Sequence, residues 1–196
     1  MHQKQPPLKE NMLQPLPTRY GSVAQAFHWI TAIVVLIAFV YGPGGSEQRV
    51  YLPTRDFDRQ LHETLGLCVF VLTVLRLLWK MVDTRPVTLD LPRWMDIGSR
   101  VVQVVLYLLL FAVSLTAVAG AWLEGHPLTF LGGLQVQPPV GMSHNLGATI
   151  ATIHTWLGDT ILWIAGAHAF AAIYHRVVLK DRVLSTMLPG WVPFQG

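Results

Sequence analysis

Four apolar stretches, at about Ala24–Tyr41, Leu61–Val82, Gly98–Leu123 and Thr149–Val178, leave this chain few ways to fold. Each is near or beyond the roughly 20 residues an α-helix needs to cross the hydrocarbon core of a bilayer. Composition points the same way. The 196 residues are 52% apolar and only 13% charged, where a soluble domain carries about 25% charged residues; the deficit follows if much of the surface faces lipid. The expectation is an all-α membrane protein, a single four-transmembrane-helix bundle over residues 19–188. Residues 1–18, with four prolines and no periodicity, read as a flexible, Pro-rich tail, and 189–196 as a short C-terminal tail. The first apolar run follows some two dozen polar and proline-rich residues and lacks a small-residue cleavage pattern, so it reads as helix 1 rather than a signal peptide.

The net charge of +3 and pI near 9 invite a nucleic-acid reading, but the distribution of charge opposes it. In a four-span arrangement eleven of the fourteen basic residues fall on one side: before helix 1, around the helix 2–3 connection, or after helix 4. Only Arg49, Arg55 and Arg59 fall on the other side. This bias orients the bundle with both termini cytoplasmic. Cys68 is the only cysteine, which excludes an intramolecular disulfide, and it reads as a small buried apolar residue. There is no P-loop, no dinucleotide fingerprint, no Cys-x-x-Cys-His attachment site and no serine-nucleophile motif.

The chemistry lies in the histidines. His154 and His168 in helix 4 are fourteen residues apart, which places them within about 40° of one helix face and about 21 Å apart along the axis. Chain direction then decides which histidines meet. Helix 1 carries His28 near its inner end and helix 2 carries His62 at its outer end, so His62 shares a depth with His154, and His28 with His168. Histidines in membrane spans are costly and are functional candidates by default, although single ones also hold helices together. A mononuclear zinc or copper site recruits a third or fourth ligand, and only Glu63 and Asp159 near the outer pair offer one. Haem supplies four equatorial nitrogens itself and needs two axial groups. Without a thioether motif, two non-covalent b-type haems are expected, the axial pairs being His28–His168 and His62–His154. Four residues after each of these ligands stands a small side chain, Ala32, Gly66, Gly158 and Ala172, on the face where a porphyrin needs room. His175 shares the helix 4 stripe, but it lies almost at the inner boundary and Leu179 follows four residues later, which favours His168. His126 and His144 fall in the loop 124–148, where a solvated histidine is the default.

These residues resemble the bacterial cytochrome b561 family of four-helix dihaem inner-membrane proteins. The resemblance rests on Arg19-Tyr20 and His28-Trp29 in helix 1, His62 with Gly66 and Arg76 in helix 2, and His154-Thr155 and Ala167-His168 through His175 in helix 4. It covers about residues 18–188. It implies the same four ligands, a multi-pass location in the bacterial inner membrane, and electron transfer from superoxide outside to ubiquinone. Arg49, Arg55 and Arg59 are then candidates for steering the anion, and His175, Arg100, Gln103 and Trp94 for bordering a quinone. Arg19, Arg59 and Arg76 suit haem propionates. Helix 3 departs from the family pattern: Arg100 and Gln103 stand where family members carry histidines. An alternative donor is a partner dehydrogenase or hydrogenase, and a third possibility is a non-redox membrane protein with structural histidines.

Overall fold

The computed structural model describes residues 19–42, 50–83, 91–139, 141–189 and 192. The expected tail at 1–18, most of 189–196, and Arg49 lie outside the described residues. The order of elements is α1 (Ser22–Tyr41), a 3-10 turn (Pro53–Arg55), α2 (Asp56–Val82), α3 (Arg93–Leu123), β1 (Leu128–Thr129), β2 (Gln135–Val136), α4 (His144–Tyr174), a π-helical turn (His175–Leu179) and the short α5 (Val183–Thr186). Helices α1 to α4, α2 counted with its 3-10 turn and α4 with the π turn, are each long and apolar enough to cross a membrane.

Three helices begin about five residues earlier than the apolar runs suggest. Before α2, Pro53 opens the 3-10 turn, and Asp56 and Asp58 then occupy the first helical turn, where the helix dipole favours acids. Pro92 is the N-cap of α3, and α4 starts at His144. The polar first turns do not register as apolar sequence, so their helical character is hidden. Correspondingly, the expected loop 124–148 is shorter, His144 is helical, and the remainder contains a two-stranded antiparallel hairpin with Leu128 opposite Val136. Gly132 and Gly133 take positive φ values of 90° and 82°, left-handed backbone that glycine adopts without strain.

The most extensive helix contacts pair α3 with α4 and α1 with α2, and α2 against α3 joins the two pairs. The buried apolar cluster is small: Val69, Leu110 and Ile161, with Val34, Val35, Leu109 and Val113 packed on it. Cys68, expected to be buried, is instead exposed, one position before Val69 and so turned away from that cluster. Val69 lies seven residues after His62, and Ile161 lies midway between His154 and His168. The packed centre of the bundle therefore separates two levels of histidine. Hydroxyls in the spans return to their own helix, as Thr73 Oγ1 does to the Val69 carbonyl (2.7 Å) and Ser114 Oγ to Leu110 (3.0 Å), which satisfies these hydroxyls in an apolar setting.

Beyond α4 the chain turns back. Lys180 adopts the left-handed conformation (φ 54°), and Asp181 Oδ1 accepts the Val183 N–H (3.0 Å) at the start of α5. The segment is then fastened under α1. The buried Gln25 amide donates to the carbonyls of Tyr20, Thr186 and Leu188 at 3.0–3.2 Å, and the Trp29 indole donates to Met187 (2.8 Å).

Candidate functional site

A single cavity of about 2730 Å³ runs through the bundle, and His28, His62, His154 and His168 all line it. That is several times the roughly 300–1,000 Å³ of an ordinary small-molecule pocket. The four histidines form two facing pairs. The rings of His62 and His154 have centroids 5.9 Å apart at an interplanar angle of 86°, and those of His28 and His168 are 6.4 Å apart at 75°.

These spacings can be tested against a metal between the rings. An imidazole nitrogen binds a first-row metal at about 2.0–2.1 Å and lies about 1.2 Å from its ring centre, so rings on opposite sides of one ion have centres about 6.4 Å apart. Both pairs meet this requirement within half an ångström. Among the described residues no group of three or more His, Cys, Asp or Glu side chains converges on a point that would hold a metal. Glu63 is engaged elsewhere: it accepts from Arg59 (2.9 Å) and from the Thr129 backbone N–H. A two-coordinate protein contribution fits a macrocycle that brings its own equatorial nitrogens.

The space around one pair fits as well. Gly66 and Gly158 both line the cavity, and a Cβ built on either would meet nothing within 4 Å. Ala32 and Ala172, one turn along from His28 and His168, line it too.

Hydrogen bonds fix the His62–His154 pair. His62 Nδ1 lies 2.7 Å from the Ala38 carbonyl, and His154 Nδ1 lies 2.9 Å from that of Val113. A carbonyl only accepts, so both Nδ1 atoms carry the proton and both Nε2 lone pairs are free for a metal. Ala38 sits in the last turn of α1, where carbonyls lack intrahelical partners. His62 also approaches Gly42 closely: a Cβ there would lie 3.3 Å from His62 Cε1. The other pair is held differently. His28 Nδ1 faces Arg76 Nη2 at 3.3 Å, and the Arg76 guanidinium lies 5.4 Å from the centroid of the Tyr107 ring.

The remaining sequence candidates divide. Arg55 is paired with Asp58 (3.3 Å), and Arg59 with Glu63 and Asp56, so both steering candidates are locally neutralised. Arg59 also lies 5.2 Å from the centroid of the Tyr51 ring, which stacks on His126 at 3.6 Å. Arg100 and Gln103 line the cavity, and Arg100 is ion-paired with Asp96 (2.9 Å). Trp94 and His175 do not line it. Trp94 is 71% exposed on the first turn of α3, and His175 Nδ1 donates to Asp181 (2.5 Å) past the end of regular α4. The four quinone candidates therefore do not converge on one pocket. The sequence reading also missed the hairpin over the His62 end, tied down by Glu63 and by Thr64 Oγ1, which accepts from the Leu131 N–H (2.9 Å). A two-residue strand carries too weak a pattern to be read in advance.

Four membrane-length helices enclosing facing histidines at two depths are the architecture of a membrane cytochrome of the b type. The match to known families agrees: residues 19–190 fit the family described as prokaryotic cytochrome b561, and the chain belongs to it. Among characterised relatives it is similar to cytochrome b561 homolog 2 of Escherichia coli K12, 28% identical over 173 residues that cover 88% of this chain and 92% of that one. It is also similar to the probable superoxide oxidase CybB of Yersinia pestis, 26% identical over 87% of this chain and 96% of the relative. Cytochrome b562 of Cereibacter sphaeroides is 29% identical over 86% of this chain. Membership makes the protein a multi-pass membrane electron-transfer protein and implies b-type haem.

Proposed function

We propose that the protein carries single electrons between the two faces of the bacterial inner membrane through two b-type haems, one held by His62 and His154 and the other by His28 and His168. The observation that supports this most is the pair of ring separations, 5.9 and 6.4 Å, at two levels of one continuous cavity. When bound, each haem supplies a one-electron redox centre. The protein's part is to present the four histidines as facing pairs, to orient His62 and His154 through their Nδ1–H bonds to backbone carbonyls, and to keep water from the interior. A cytoplasmic position for both termini, and with them for the His28–His168 end, is supported by the excess of basic residues on that side.

The electron donor we favour is superoxide, supported by similarity to a relative named a probable superoxide oxidase. The acceptor is a ubiquinone at the cytoplasmic end of the cavity. Two superoxide anions become two dioxygen molecules and release two electrons; these, with two protons from the cytoplasmic side, convert one quinone to quinol. Arg100 and Gln103 are suited to donate hydrogen bonds to the quinone carbonyls. A second donor class, a redox partner protein, is favoured by one observation: Arg55 and Arg59 are matched by carboxylates, which weakens long-range attraction of an anion. Rapid mixing of the purified, haem-loaded protein with superoxide separates the two. Reduction of both haems at near-diffusional rates identifies superoxide as donor; slow or absent reduction assigns the donor role to a protein. A purified protein without a Soret band refutes the haem reading itself.

A further inference from the structure

The cavity is electrically lopsided. Around the His28–His168 end four cations, Arg76, Lys80, Arg93 and Arg100, line it against two acids, Asp83 and Asp96. Around the His62–His154 end one cation, Arg59, lines it against three acids, Glu63, Glu124 and Asp159. With histidines neutral, the formal balance is +2 at one end and −2 at the other. A carrier gains one negative charge on reduction, so the cationic end stabilises the reduced state and the acidic end opposes it.

Hydrogen bonding acts in the same direction. His62 and His154 both donate Nδ1–H to carbonyls, which makes an imidazole a stronger electron donor to its metal and favours the oxidised state. His28 has a guanidinium at that position instead, 3.3 Å from Nδ1. A guanidinium has no acceptor, so Arg76 cannot enhance the basicity of His28, and its charge sits against the ring. Lys80 Nζ reinforces it, 5.8 Å from the centroid of the same Tyr107 ring that Arg76 covers. Among the described residues no carboxylate forms an ion pair with Arg76.

We propose that Arg76 sets the direction of electron flow, by holding the reduction potential of the His28–His168 centre above that of the His62–His154 centre. The inference rests on the bis-histidine reading of both pairs. An electron that enters at the His62–His154 end then moves downhill by one step toward the quinone end. Arg76 is a positioning and tuning residue, not a ligand.

Potentiometric titration of the haem-loaded protein in detergent, followed in the α band, tests this. Two one-electron waves are expected. The higher wave persists in His154→Ala and disappears in His168→Ala. Arg76→Gln lowers that wave by about 59 mV or more, a tenfold shift in the electron's partition, and leaves the lower wave in place. Arg76→Lys keeps most of the separation. Lys80→Gln moves the higher wave in the same direction by less, and it carries the test together with Arg76→Lys if Arg76→Gln loses its haem. The proposal is overturned if the higher wave belongs to His62–His154, or if neither Arg76→Gln nor Lys80→Gln moves a potential. Failure of the underlying reading looks different: the protein then holds no haem, or its haem content ignores His154→Ala and His168→Ala.

Discussion

Filling the space beside Gly158 is the sharpest way to ask whether a porphyrin occupies the cavity next to His154. Gly158 lies one turn along α4 from His154, about 6 Å down the axis on nearly the same face. It lines the cavity, and a Cβ there meets no atom within 4 Å. In the polypeptide alone a larger side chain meets nothing, and replacing a helical glycine by alanine gains about 1 kcal/mol of helix propensity. With a macrocycle clamped between His62 and His154 the same side chain must displace it. Over-packing of a filled site costs about 1–3 kcal/mol, or roughly a 5- to 150-fold loss of affinity at 1.4 kcal/mol per tenfold. Gly158→Ala falls at the low end and Gly158→Leu at the high end or beyond. The assay is the haem-to-protein ratio of purified variants by pyridine haemochrome, with far-UV circular dichroism to show that the bundle persists. Gly158→Leu should lose one haem of the two, the same one lost in His154→Ala, and Gly66→Leu on the opposite helix should repeat the result. Gly98→Leu, which is equally open but does not line the cavity, should keep both. If both cavity variants retain a full complement of haem, or lose the one assigned to His168, the cradle is wrongly placed.

Three further outcomes are expected. His154→Ala and His168→Ala should each remove one haem and leave the other, whereas His175→Ala should keep both, because His175 bonds Asp181 and lies outside the cavity lining; optical spectra of the three variants decide this. Gln25→Leu removes the donor shared by the Tyr20, Thr186 and Leu188 carbonyls, at about 0.5–1.5 kcal/mol per hydrogen bond; hydrogen exchange across 183–188 should accelerate by roughly tenfold or more, and unchanged protection would show that Gln25 does not fasten the segment. Arg55→Gln should change a superoxide rate by less than about twofold with little effect on its salt dependence, since Asp58 already screens the charge; a steep fall in stopped-flow rate would restore Arg55 as a steering residue.

Much of the bundle is legible in the sequence because lipid imposes a simple rule. Apolar length marks the spans, and 3.6-residue periodicity with alternating chain direction brings His62 to the level of His154 and His28 to that of His168. Small residues one turn from each histidine also register, and all four line the cavity. What escapes is whatever depends on polar residues at the ends. The first turns of α2, α3 and α4 contain Asp56, Arg93 and His144, so the apolar runs start late. Gln25 looks like an ordinary polar residue near a helix start, yet it is 7% exposed because the chain after α4 doubles back onto it. Trp94 and His175 looked like neighbours of Arg100 by depth alone. Depth does not give azimuth, and the π turn at His175–Leu179 changes the helical phase just where His175 needed to face inward.

The difference between the two histidine pairs was the least accessible feature, and it has a simple structural origin. His62 sits beside the last turn of α1, where the Ala38 carbonyl has no helical N–H to bind and is free to accept. His28 lies early in α1, and its Nδ1 meets a side chain from the last third of α2 instead of a carbonyl. Arg76 is that side chain. A backbone carbonyl leaves no mark in a sequence, and an arginine near a span boundary reads as a headgroup anchor. Once the helices are packed, the same two facts give one pair an acceptor and the other a cation. The consequence reaches beyond placement of the histidines: four like residues in one cavity become two inequivalent pairs, which is what directional electron transfer between two centres requires.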